Sequence, residues 1–207
     1  MTVNFPSPKA EIEQYILDRV LETDRKTGRN FYNLANTPTM NPEQDFDFSL
    51  PTVTGLEYLD LMEIKTTQGP YGSAPASYWV WDFAEATYGQ LLKKAATYGP
   101  NQYDAIHLLL YSTDWRYHPD VGVLELLKIW LAHGRNCFRT VRYYAPDSQT
   151  SGELFSVFPS LPEERRAIDV KELKERAIMP ADFSRLRVEK DGSVSAPICP
   201  PPPGWKP

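Results

Sequence analysis

An α/β fold, with a central mixed β-sheet flanked by helices, is what this sequence predicts, and three observations predict it. Stretches whose apolar residues recur at helical spacing alternate with shorter stretches of period two. One short stretch, Ile106-His107-Leu108-Leu109-Leu110, is apolar enough for an interior strand, so helices must cover both faces of its sheet. At 207 residues and 42% hydrophobic content, the chain can bury one substantial core but is short for two.

The elements follow in order. Ser7-Pro8 reads as a helix start, because proline in the first turn forgoes a donor that the helix does not use. Ile12, Tyr15, Ile16, Val20 and Leu21 then mark a buried stripe, which Thr27-Gly28 ends. Residues 31–34 read as a short strand and 36–44, with Pro38 and Pro42, as a loop. Over 45–50 acidic or polar residues alternate with Phe46, Phe48 and Leu50, as in a half-buried strand. Pro51 and Gly55 frame a turn, and 58–67 forms a second, more apolar strand. Residues 68–75 are rich in turn formers and read as a lid-like connection. A long helix follows over 76–98, stopped by Gly99-Pro100, and then the interior strand over 103–111. Residues 121–133 are helical, 137–144 and 154–158 are strands, and 162–177 is a short charged helix. Residues 1–180 read as a single domain and 181–207 as an extension whose proline-rich end, from Ala196, cannot be helical.

Composition narrows the function. The net charge of -5 argues against a non-specific nucleic-acid coat protein but leaves room for an enzyme with a local basic surface. Lys93, Lys94, Arg135, Arg139 and Arg142 are candidates for that surface, although Lys93 and Lys94 also suit the solvated side of a helix. Cys137 and Cys199 fit no zinc spacing, and His107, His118 and His133 are too dispersed for a zinc site. His107, in an apolar strand, reads first as a hydrogen-bonded core histidine. The first residues lack the pattern of a signal peptide, and no apolar stretch is long enough to cross a bilayer. A cytoplasmic location without membrane association is the expectation.

The chemistry concentrates in Asp47 and in Glu63-Ile64-Lys65. On a strand Glu63 and Lys65 share a face with Leu59 and Leu61, while Asp60 and Met62 point the other way. Charge at the end of an otherwise apolar strand is costly unless a partner or an ion compensates it. If the two strands pair as a hairpin, Asp47 comes close to Glu63, with Asp45 as its substitute. Two carboxylates can hold Mg2+ or Mn2+ through hard oxygen ligands, and the Lys65 amine can stabilise the charge that develops on a phosphate.

These residues, with the order helix, strands, helix, strand, resemble the PD-(D/E)xK nuclease superfamily over roughly residues 10 to 115. The resemblance implies a restriction-endonuclease-like core and metal-dependent hydrolysis of nucleic acid, with a DNA endonuclease first in line. It makes Asp47 and Glu63 metal ligands, Lys65 the catalytic lysine and Glu11 the first-helix carboxylate, with Glu22 as its rival. Gln90 matches a position where many members carry a polar active-site residue. Phe46-Asp47 stands where the family's name has Pro-Asp. A catalytically inactive relative that binds nucleic acid or protein is the alternative, and a homodimer remains open.

Overall fold

The computed structural model describes residues 9–41, 46–64, 78–99, 104–114, 117–134, 136–146, 152–160, 168–178, 187–188 and 194–195. Its centre is a six-stranded mixed sheet of strands β1 (Thr39–Met40), β2 (Phe48–Thr52), β3 (Gly55–Glu63), β5 (Ile106–Tyr111), β6 (Phe138–Pro146) and β7 (Gly152–Phe158), in the order β1-β2-β3-β5-β6-β7. Strands β3, β5 and β6 run parallel, and β1, β2 and β7 extend the sheet antiparallel at its two sides. Helix α1 (Lys9–Thr27) covers one face. Helices α2 (Val80–Ala95) and α3 (Val121–His133) cover the other. The expected α/β architecture with a mixed, helix-flanked sheet is therefore present.

Alternation along the strands divides the core between these faces. Leu59, Leu61, Leu109 and Tyr111 pack with Ile16, Leu17 and Val20 of α1. Met62, Ile64, Leu108 and Leu110 pack with α2 and α3. All six residues of β5 are buried, as a central parallel strand between two helical layers requires. Each fully buried Leu or Ile side chain contributes about 1.5–3 kcal/mol. Asp120 starts α3, its Oδ1 accepting the Val123 N–H at 2.9 Å.

The sequence reading needs correction at several boundaries. Residues 31–34 form no strand; Asn30 and Asn33 have φ of 49° and 47°, and Leu34 makes only an isolated bridge to Thr52. The first strand is instead β1, inside the expected loop. Pro51 lies within β2 opposite Leu56, and the hairpin turns at Val53-Thr54 into Gly55, whose φ is 136°. Proline is tolerated there because β1 pairs with β2 only at Phe48 and Ser49, so no β1 residue needs its missing donor. Helix α2 begins at Val80 because β4 (Tyr78–Trp79) pairs antiparallel with β8 (Ala177–Ile178). That contact is distant in sequence and leaves no local signature. The last helix, α4, spans only Val170–Glu175. Of the extension over 181–207, only β9 (Arg187–Val188) and β10 (Val194–Ser195) are described.

Candidate active site

Glu63 is the last residue of β3, and in register it stands opposite Tyr111, the last residue of β5. This is the carboxyl end of two parallel strands, where open α/β sheets usually bind their ligands. Strand β2 runs the opposite way, so the residues that lead into it, Phe46 and Asp47, reach the same end. Lys65 and Asp45 lie outside the described residues.

Asp47 occupies a bend, not the strand itself. Pairing between β2 and β3 ends at Phe48 opposite Leu59, which leaves the Leu61 N–H beyond the ladder. Asp47 Oδ2 accepts that N–H at 2.7 Å. The bend also breaks the expected alternation, since Phe46 joins the α2–α3 side of the core and Phe48 the α1 side. Phe46 stacks on Tyr58 and Tyr98, at centroid distances of 4.4 and 5.6 Å.

The carboxyl group in hydrogen-bonding contact with Asp47 is that of Asp60. Asp60 is 2% exposed in a strand of apolar neighbours. Its Oδ2 lies 2.8 Å from Lys94 Nζ and accepts the Tyr98 hydroxyl. Burial, reinforced by the hydrogen bond and repulsion from Asp47 and opposed by Lys94, pushes the Asp60 carboxyl up to about 7.

Two further carboxylates bear on this edge. Thr113, just past β5, donates its hydroxyl to Glu63 Oε1. Glu13 of α1 is buried, with Lys9 Nζ 2.8 Å from its Oε1. The Tyr111 hydroxyl registers the grouping: burial raises its pKa first, followed by the negative charges of Glu63, Glu13 and Asp47. Lys9 is likewise held protonated above its usual range, chiefly by its hydrogen bond to Glu13 and against the pull of burial. The Glu13, Asp47 and Asp60 charges add to that effect.

Two first-helix carboxylates are buried: Asp24 accepts the Phe31 N–H at the far end of α1, and Glu13 is thus the one that bears on this edge. Glu11 is exposed, and Glu22 pairs with Arg19 and Lys26 on the helix surface, each at 2.8 Å. Helical geometry explains this, because Glu13 lies three and four residues before the buried Ile16 and Leu17. Gln90 is half-buried on α2, one turn before Lys94. Lys94, expected on a basic surface, turns inward to Asp60; Lys93 stays exposed. The oxygen donors suit Mg2+ or Mn2+ in kind. In arrangement, no three His, Cys, Asp or Glu side chains among the described residues are grouped to hold an ion. Two surface cavities, of about 430 and 480 Å³, lie beside the far end of α1, and neither includes these carboxylates.

A second polar group lies toward the other end of the strands. His107 Nδ1 is 2.8 Å from Thr140 Oγ1 and its Nε2 is 2.5 Å from Glu57 Oε2. Arg142 donates to Thr140 Oγ1 at 3.1 Å and to the Phe31 carbonyl at 3.2 Å, while Arg139 lies 3.4 Å from Glu57 Oε1. Burial lowers the His107 pKa, so the ring is neutral, accepting from Thr140 and donating to Glu57.

No helix among the described residues is long and apolar enough to cross a membrane. Compared with protein-family models, curated proteins and solved structures, the chain matches none of them.

Proposed function

We propose that this protein is a divalent-metal-dependent nuclease with a restriction-endonuclease-like core, hydrolysing phosphodiester bonds in nucleic acid, DNA first. The observation that carries the reading is that Glu63 closes β3 and Asp47 leads into β2 at the same end of the sheet, with buried Glu13 on α1. The negative charges of all three raise the Tyr111 hydroxyl pKa, after burial. Like charges near one buried phenol are unfavourable for the fold alone, which makes them candidates for a cation. The order α1, β1, β2, β3, β4, α2, β5, with β3 and β5 parallel, supports the same reading.

In this proposal Asp47 and Glu63 hold Mg2+ or Mn2+, with Glu13 replacing Glu11 as the first-helix partner. The ion would neutralise the scissile phosphate and acidify a bound water. Thr113 fixes the Glu63 carboxylate by its hydrogen bond, and the Leu61 N–H fixes that of Asp47. Lys65 stabilises developing negative charge, and Gln90 is a polar substrate contact. The basic surface for the nucleic-acid backbone includes exposed Lys93.

The test is cleavage of duplex DNA by the full chain in Mg2+ or Mn2+, run beside Glu63→Gln and Lys65→Met. Cleavage by the wild type and a loss of at least about a hundredfold in both variants, at unchanged melting temperature, supports the reading. Equal rates in all three proteins overturn it. The alternative, an inactive nuclease-like module, draws on the lack of a three-ligand group among the described residues. Nucleic-acid binding without cleavage, indifferent to Glu63, would favour that alternative.

A further inference from the structure

We propose that Asp60, clamped by Lys94 and Tyr98 of the α2 end, is the positioning residue that fixes the Asp47 carboxylate at the sheet edge. The inference deepens the nuclease reading, on which its catalytic meaning rests. Strand pairing alone cannot hold Asp47, because the β2–β3 ladder ends one residue later in the chain, at Phe48. Its backbone carbonyl accepts from Asn41 N–H at 2.9 Å on the β1 side. On the β3 side the side chain alone makes the connection, to the Leu61 N–H and to Asp60. The bend just before Phe48, the last residue paired in register, carries the Asp47 side chain across to the Leu61 N–H and the Asp60 carboxyl group.

The clamp explains an otherwise unfavourable choice of residue. An aspartate that is 2% exposed among Leu59, Leu61 and Met62 needs strong compensation. Lys94 and Tyr98 supply it, and both act on Oδ2. Their geometry is fixed in turn by packing: Tyr98 is 5% exposed, stacked on Phe46 and edge-on to Phe138. Phe46 precedes Asp47, so one aromatic stack holds both the clamp and the backbone beside the carboxylate. A lysine that only needed neutralising could have stayed in water, since Lys94 is a quarter exposed while its partner is buried. The arrangement is that of an outer partner orienting a ligand, a role whose loss costs about ten- to a hundredfold in metal affinity.

The test reads Asp47 directly through the amide it accepts. In 15N-labelled full-length protein, the Leu61 amide reports the Asp47 contact, and Asp47→Asn calibrates the signal. Lys94→Met and Asp60→Asn should each move the Leu61 resonance and speed its exchange about tenfold, leaving the capped Val123 amide of α3 unchanged. Lys94→Arg should restore the wild-type signal. In parallel, titration with Mn2+ alone should weaken about tenfold or more in Lys94→Met. A Leu61 amide indistinguishable from wild type in folded Lys94→Met overturns the positioning role, whatever the metal result. Lys94 can be replaced without opening the core, so it decides the question even where Asp60→Asn fails to fold. Absence of Mn2+ binding by the wild type would instead sink the nuclease reading and leave the Leu61 result to judge the clamp.

Discussion

The two polar groups on this sheet solve the problem of buried charge in opposite ways. Around His107, donors and acceptors alternate: Arg142 to Thr140, Thr140 to the ring, the ring to Glu57, with Arg139 and Thr54 also facing Glu57. Both ring nitrogens of His107 are satisfied in this chain, which fixes the fold, while the buried Arg142 Nε finds no hydrogen-bond partner among the described residues. Around Asp47 the same sheet gathers Glu13, Asp60 and Glu63, with Lys9 and Lys94 as the ammonium groups bearing on them. Two carboxyl groups in contact can rest only by sharing a proton or a cation. The difference teaches that charge imbalance at a strand end, and not the presence of a histidine or an acid, separates a candidate site from a structural network.

Breaking the His107 network should cost the most. His107→Ala removes the ring between Thr140 and Glu57 and opens a void, and should destabilise the protein by about 3 kcal/mol in urea unfolding. Its cleavage rate per folded molecule should match the wild type. A loss below about 0.5 kcal/mol would show that the network is not structural.

Acid and base should act on the two groups with opposite signs. Neutral His107 binds its proton less readily in the folded chain than at the ordinary value of 6.5, so its contribution is lost as pH falls below 6.5. Asp60, raised from 3.8 to about 7, keeps its proton in the fold; its contribution is full below 3.8 and is lost as pH rises toward 7. Melting curves in chelator should show the acid-side decline vanish in His107→Gln and the decline between pH 4 and 7 vanish in Asp60→Asn. Parallel curves for all three proteins would remove the contrast.

The smallest effect separates two glutamates of one helix. Glu13→Gln should weaken Mn2+ binding about tenfold, close to 1.4 kcal/mol, while Glu11→Gln should change nothing measurable in the same titration. Equal effects from the two would return the helix carboxylate to an open question.

Much of this was legible locally. The period of β3 fixes Leu59 and Leu61 on one face and Met62 on the other, but the strand runs Gly55–Glu63, starting before the expected 58 and ending short of 67. His107 is a satisfied core histidine, as its apolar strand implies. The α1 stripe was legible within one turn; the observed face is rotated toward Leu17, which carries Glu13 inward and Glu11 out. What escaped depends on contacts between distant segments. Nothing near Asp60 in sequence announces Lys94 or Tyr98, and strand period alone would not put Phe46 and Phe48 on opposite faces. The bend that separates those two phenylalanines is also what brings Asp47 to Asp60.

The central claim is that the carboxylates at this edge serve a cation, and a crystal of the full chain soaked in Mn2+ tests it most directly. The account predicts an anomalous peak bound jointly by Asp47 and Glu63, with Glu13 facing it. A peak elsewhere, or none, with Asp47 still engaged by Leu61 and Asp60, would contradict it.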